Sequence, residues 1–254
     1  MDDDALVDVL HAAADEIGGA LGAVTDWGPS GAAGRPDQHH SDVAADTAAV
    51  EVLTDAGLGV LSEESGGHHR ERPVTVVVDP LDGSTNAARK ISWWASSLCA
   101  VDVDGARAAL VVDVVHGTRF QAVRGGGASR DGRAIHGSGV DALEDALVGA
   151  NGLPVRHFGW SQLRVLGATA LDLCAVACGA LDGYVDCATD ALGPWDYLGG
   201  MLVCREAGAT VVDAFDRPLT VLDHGARRTP VAGATAALAS ALQQARTGSD
   251  EKLG

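Results

Sequence analysis

The order of periodicities along the 254 residues predicts a mixed α/β fold, which a layered arrangement of helices and sheets can accommodate. Three observations carry that expectation. Leu6, Val9, Leu10, Ala13 and Ile17 recur at three and four, the spacing of one helix face. Val74 to Val78 is almost entirely β-branched and apolar, as in a strand covered on both sides. Apolar stretches at 96–103, 106–115 and 119–123 are separated by Asp-Gly and His-Gly turns, as neighbouring strands of one sheet would be. With 46% hydrophobic residues there is ample material for a core, and the chain reads as one domain, 1–254, with sub-domains 1–135 and 136–254.

The first helix is expected to be capped by Asp4 and to end near Gly18-Gly19. Residues 25–40 have no period and read as a loop, with His39 and His40 as solvated neighbours pointing in different directions. A second helix from Ser41 or Asp42 turns Val43, Val50 and Leu53 inward and carries Asp46. A short strand from Gly59 then opens into a glycine-bounded loop holding Glu63 and Glu64. Gly125 to Gly132 reads as loop, and Ala146 to Ala150 as a strand. Residues 168–178 read as a buried helix between Gly167 and Gly179, followed by a strand from Leu181 to Val185. A further helix starts at about Asp196 and is ended by Gly208; Thr210 to Val212 is a strand. The stretch from Pro230 to Ala245 gives one more strand and an amphipathic helix.

Composition excludes several function classes. The apolar runs are too short to span a bilayer, and Met1-Asp2-Asp3-Asp4 lacks the basic region of a signal peptide, so a cytoplasmic protein with no membrane partner is expected. Five cysteines without a Cys-x-x-Cys fit a reducing compartment, with Cys174 and Cys178 packed in the core. A net charge of −17 counts against a nucleic-acid partner, because no basic stripe is present to displace counterions, and none is expected.

The stretch with most chemistry is Val74 to Asn86. Asp79 follows the apolar strand, Pro80 keeps it out of helical geometry, and the turn brings Asp82 back beside it. Two carboxylates in one small space repel unless a hard divalent cation lies between them. The N–H groups of Gly83, Ser84 and Thr85 can point at an anion. Glu63 or Glu64 is a third carboxylate that can ligate metal and take a proton from water.

Three stretches together are recognisable: Ser62-Glu63-Glu64-Ser65, Asp79-Pro80-Leu81-Asp82-Gly83-Ser84-Thr85-Asn86, and Trp195-Asp196-Tyr197 running to Glu206-Ala207-Gly208. With Arg164-Val165-Leu166-Gly167-Ala168-Thr169-Ala170, they make the chain resemble the inositol monophosphatase family of magnesium-dependent, lithium-sensitive phosphomonoesterases. The resemblance implies an αβαβα sandwich of the inositol monophosphatase and fructose-1,6-bisphosphatase type, and a homodimer. It implies two or three Mg²⁺ ions, with Mn²⁺ as a substitute, held by Glu63, Asp79, the Leu81 carbonyl, Asp82 and Asp196. Ser84 stands for the family's activating threonine, orienting the attacking water with Glu63, and Asp46 for the aspartate that hydrogen-bonds that hydroxyl. Substrate contacts implied are Asp82, Gly83, Ser84, Thr85, Gly167, Ala168, Asp196, and one of Asp186 and Asp190.

By the same resemblance the reaction is in-line attack of water on phosphorus, with no phosphoenzyme. The substrate implied is inositol monophosphate or a similar small polyol or sugar phosphate. Histidinol phosphate, a sugar bisphosphate and a nucleotide 3′-phosphate are alternatives, and a regulator that binds metal and phospho-ligand with weak catalysis is a reading of another class. Departures concern the substrate side. The family's Asp-x-x-Thr-x-x-Asp pattern survives only in Asp46, with His40 and Val43 in the other places; Ser92 replaces a usual proline, and Ala87 a usual aromatic residue.

Overall fold

The computed structural model describes residues 1–25, 27 and 39–250. Most of the loop expected at 25–40 therefore lies outside the described residues. Helix α1 (Asp3–Ala23) buries Leu6, Leu10, Ala13, Ala14, Ile17 and Leu21 along one stripe. Its cap is Asp2, which accepts from Ala5 N at 2.9 Å, not Asp4. Gly18 and Gly19 sit on its open side and do not end it, because Leu21 still reaches the core one turn beyond Ile17. Helix α2 (His40–Asp55) packs on α1 through Ala45, Ala49 and Leu53. The expected inward valine, Val43, is instead 41% exposed, since Asp42, Ala45, Asp46 and Ala49 occupy the inner face.

The first sheet takes β1 (Gly59–Ser62), β2 (Gly66–His68), β3 (Thr75–Asp82), β4 (Ala95–Asp102), β5 (Gly105–Asp113), β6 (Thr118–Val123), β7 (Gly127–Arg130) and β8 (Arg133–Ala134), in the order β2-β1-β3-β4-β5-β6-β7-β8. β1 and β3 are parallel, and the rest pair antiparallel. Two expectations fail here. β3 does not stop at Asp79 but runs through Pro80 to Asp82, with an irregular register against β4 between the two aspartates. A bulge is where a sheet tolerates proline. The stretch 125–132, expected as loop, contains β7, whose Gly, Ser and Arg hide the strand period; its turn is held by Glu206, which accepts from Gly125 N and Gly127 N at 2.9 and 3.0 Å.

Beyond this sheet come β9 (Leu147–Asn151), β10 (Gln162–Arg164), α4 (Thr169–Ala177), β11 (Gly183–Asp186), α5 (Pro194–Glu206), β12 (Thr210–Asp213), β13 (Pro230–Gly233) and α6 (Ala236–Asp250). The second sheet runs β10-β9-β11-β13-β12. Residue parity then assigns the layers. Val60, Val76 and Val78 face α1 and α2, while Leu61 and Val77 face α4 and α5. Tyr184 and Ala232 of the second sheet close on that same α4–α5 layer, and Val185 and Val231 face Leu238 and Leu242 of α6. The result is α1α2, sheet, α4α5, sheet, α6: the αβαβα sandwich. Every residue of α4 is buried, as a helix between two sheets must be. No helix among the described residues is long and apolar enough to cross a membrane.

Candidate active site

Strand pairing brings the first two carboxylates together. In the parallel ladder Gly59 faces Thr75 and Ser62 faces Val78, so the next pair in register is Glu63 and Asp79; Glu63 N donates to Val78 O at 3.1 Å. The irregularity in β3 then returns Asp82 to the same corner. Asp79 Oδ1 accepts from Leu81 N at 3.0 Å, which shapes the Pro80 bend. Asp82 Oδ2 accepts from Ala170 N at 2.7 Å, so the first turn of α4 fixes it from the second half of the chain.

Helix α5 supplies the last member. Gly193 is its N-cap, Pro194 its first residue, and Asp196 Oδ2 accepts from Gly193 N at 2.6 Å. Capping and proximity to the other acids coincide in one side chain. The helix reaches this depth because of Gly199 and Gly200: a Cβ on the first would lie 2.5 Å from Ser97 Oγ of β4, and on the second 2.7 Å from Leu173 Cβ of α4. Carboxylate oxygens of Asp79, Asp82 and Asp196 consequently lie within 4.8 Å of one another.

The cavity over this cluster holds about 350 Å³ and is lined, among the described residues, by His39, Asp42, Glu63, Glu64, Asp79, Leu81, Asp82, Gly83, Ser84, Thr85, Gly167 and Asp196. Its described lining residues include six carboxylates and no lysine or arginine. Burial, then the charges of Asp196 and Glu64, pushes Glu63 up to about 8. Burial pushes Asp82 and Asp196 each up to about 8, Asp196 with added repulsion from Asp82. Asp79 is raised well above the carboxylate range by burial and by Glu63, Asp82 and Asp196. Without positive charge among them these acids cannot all ionise. Hard oxygen donors, close spacing and uncompensated charge are the donor chemistry a divalent cation such as Mg²⁺ fits.

The turn from Gly83 to Thr85 forms part of the same cavity wall. Gly83, with φ 86°, is the N-cap of the short helix α3 (Ser84–Arg89), and a Cβ there would stand 3.2 Å from Ala168 Cβ, Gly167 O and Trp93 O. Only glycine fits that turn. Asn86 Nδ2 donates to Trp93 O and Leu166 O, both at 2.8 Å, tying α3 to the segment before α4. Trp93 Nε1 donates to Asp172 Oδ1 at 2.9 Å. Trp93 is thus a brace between the halves.

Several expected residues stand elsewhere. Asp46 does not meet Ser84: its Oδ1 accepts from Ser62 Oγ, which in turn accepts from Glu64 N at 3.1 Å, so Asp46 props the loop carrying Glu63 and Glu64. The α2 carboxylate that lines the cavity is Asp42, one turn earlier, its Oδ2 accepting from His39 N at 2.8 Å. His39, expected as a solvated loop residue, caps α2 and lines the cavity as well. Asp42 was invisible in the sequence because it breaks the family spacing; the signal available was an aspartate at the third helical position, where a capping box points it back over the helix end. Asp186 and Asp190 do not line the cavity. Asp186 is fully buried and accepts from Asn151 Nδ2 and Ala188 N at 3.0 and 2.9 Å. Asp190 pairs with Arg217 at 2.7 Å. Ala168 is buried behind Gly167, which does line it.

Comparison with known proteins follows this geometry. The profile of the inositol monophosphatase family matches residues 37–247. The Nus factor SuhB of Salmonella typhimurium is 33% identical over 171 residues, 61% of this chain and 62% of that protein. The chain thus spans less than two thirds of the SuhB length it matches. Fructose-1,6-bisphosphatase of Pyrococcus furiosus is 32% identical over 184 residues, and the inositol-1-monophosphatase ImpA of Mycolicibacterium smegmatis 31% over 199, each covering 71% of both chains. Among solved structures, the suhB protein of Bartonella henselae superposes with a TM-score of 0.77 at 27% identity over 95% of this chain and 98% of that one. An inositol monophosphatase from Anabaena superposes at 0.79 and 24% identity over 96% of each, a likeness of fold.

Proposed function

Because the chain belongs to the inositol monophosphatase family, we propose that it is a magnesium-dependent phosphatase of a small phosphate monoester, inositol monophosphate or a similar polyol or sugar phosphate. The observation that carries the reading is the convergence of Glu63, Asp79, Asp82 and Asp196 from three separate segments, the loop after β1, the end of β3 and the start of α5, into one cavity with no lysine or arginine among its described lining residues. These four and the Leu81 carbonyl would hold the ions, with Mn²⁺ able to replace Mg²⁺. Ions held there supply Lewis acidity, activating water at neutral pH and neutralising the phosphate.

The protein's own groups do the rest. Glu63, at the cavity wall, accepts the proton of the attacking water, and the Ser84 hydroxyl, engaged by no described side chain, orients that water. Amides of Gly83 and Ser84, with Thr85 beside them, donate to the phosphate oxygens as charge builds on them. Gly167 forms the wall next to the organic part of the ester, with Ala168 packed behind it. Asp46 acts at one remove, through Ser62, on the position of Glu63.

A panel of inositol 1-phosphate, histidinol phosphate, fructose 1,6-bisphosphate and a nucleotide 3′-phosphate, read by phosphate release with Mg²⁺, tests substrate and chemistry together. The fructose-1,6-bisphosphatase relative makes the bisphosphate the leading alternative. Absence of turnover on all four and on a generic aryl phosphate would replace the hydrolase with a metal- and phosphate-binding regulator.

A further inference from the structure

We propose that Arg227 is a specificity residue that favours substrates carrying a second phosphate, which it receives on the free edge of its guanidinium beside the acidic cavity; this rests on the hydrolase reading above.

Arg227 is half-buried in the connection between β12 and β13, and three contacts fix it against the site. Its guanidinium lies over the Trp195 ring, 5.1 Å from the centroid, and Trp195 precedes Asp196 in the first turn of α5. On the same tryptophan, the His224 ring stands 4.8 Å away and its Nε2 meets Glu63 O at 3.1 Å. Nη1 of Arg227 donates to His224 O and Ala226 O at 2.9 and 2.8 Å. Trp195, His224 and Arg227 thus link the residue before Asp196 to the backbone of Glu63, next to the cavity.

The donor inventory shows what Arg227 offers. Both Nη1 hydrogens are spent on loop carbonyls, which leaves Nε–H and Nη2–H without an acceptor among the described residues, and Arg227 has no salt-bridge partner there. These two donors form the side of the guanidinium that matches two oxygens of one phosphate. Arginines nearby are consumed differently: Arg217 pairs with Asp190 and Asp213, and Arg228 donates to Pro218 O and Arg227 O. Arg227 is also the cation that offsets the raised pKa of Asp196. The described lining of the cavity offers acidic groups and no lysine or arginine, so a guanidinium next to it favours a doubly phosphorylated molecule over one that carries a single phosphate.

The test compares fructose 1,6-bisphosphate with fructose 6-phosphate on the full chain with saturating Mg²⁺, by kcat/KM and by calorimetric binding. The quantity read is the bisphosphate-to-monophosphate ratio, in wild type, Arg227→Ala and Arg227→Lys. We expect that ratio to fall at least about tenfold in Arg227→Ala and to recover only in part in Arg227→Lys, which keeps the charge and loses the fork. An unchanged ratio in both variants overturns the proposal. Loss of hydrolysis on every ester while the wild-type binding ratio still exceeds that of Arg227→Ala would instead discard the hydrolase reading and retain the role of Arg227.

Discussion

Asp79 and Asp186 are both strand aspartates that water hardly touches, at 1% and 0% exposure, yet one belongs to a charged cavity and the other to a closed joint. Around Asp186 two donors, Asn151 Nδ2 and Ala188 N, reach Oδ1, Arg246 Nε donates to its backbone oxygen at 2.9 Å, and Oδ2 is buried with no hydrogen-bond partner among the described residues. Burial still pushes it up to about 7. Around Asp79 there is one backbone donor, Leu81 N, and three further carboxylates that raise it. Burial alone therefore does not separate the two; Asp79 is distinguished by three further carboxylates crowded around it, whereas Asp186 has a nearby arginine.

The sharpest way to break this comparison is to neutralise one aspartate of each kind. Asp79→Asn is expected to lower kcat/KM for phosphate release by about a thousandfold or more, since it removes a proposed metal ligand. Asp186→Asn should leave it within about threefold; comparable losses in the two variants would erase the distinction.

Metal removal comes next. Glu63, Asp82 and Asp196 bind their protons more tightly folded than unfolded, so the folded state holds the extra protons between the usual carboxylate range and about 8. The contribution of these acids to the stability of the metal-free protein is then full near pH 4 and declines as pH rises toward 8. Saturating Mg²⁺ should raise Tm by an amount that grows from pH 5 to pH 8, because the ion competes with protons for the same oxygens. Melting curves in chelator and in Mg²⁺ give both slopes, and a metal-free Tm that is flat with pH would show that the cluster carries no such strain.

Smaller effects separate support from chemistry. Asn86→Ala leaves Trp93 O and Leu166 O without their shared donor and should cost about 1–3 kcal/mol in a denaturant titration. Asp42→Asn keeps an oxygen acceptor for His39 N and withdraws a charge that raises Glu63, so about a tenfold change in activity or less is expected, without loss of stability. An Asp42→Asn variant as inactive as Asp79→Asn would move Asp42 into the ligand set.

Much of the architecture was legible in local pattern. The stripe on α1, the apolar runs of β3 to β6 and the buried helix at 169–177 follow from side-chain period alone, because each period is a property of one element. Legibility failed where an element takes its identity from a neighbour. β7 has no period of its own and exists through pairing with β6, and the inner face of α2 was misjudged because α1 selects alanines there over Val43. At the site, the motifs marked Glu63, Asp79, Asp82 and Asp196 and left Asp42 and Arg227 unmarked.

The sequence by itself determined which elements form and which acids sit at their ends, since propensity, capping and period act over a few residues. Tertiary structure decided which acids share one space. Parallel register set Glu63 beside Asp79, two glycines let α5 carry Asp196 between a sheet and a helix, and a hydroxyl at Ser62 took Asp46 away from the cavity. Those choices depend on distances between segments far apart in the chain, and no local pattern encodes such distances.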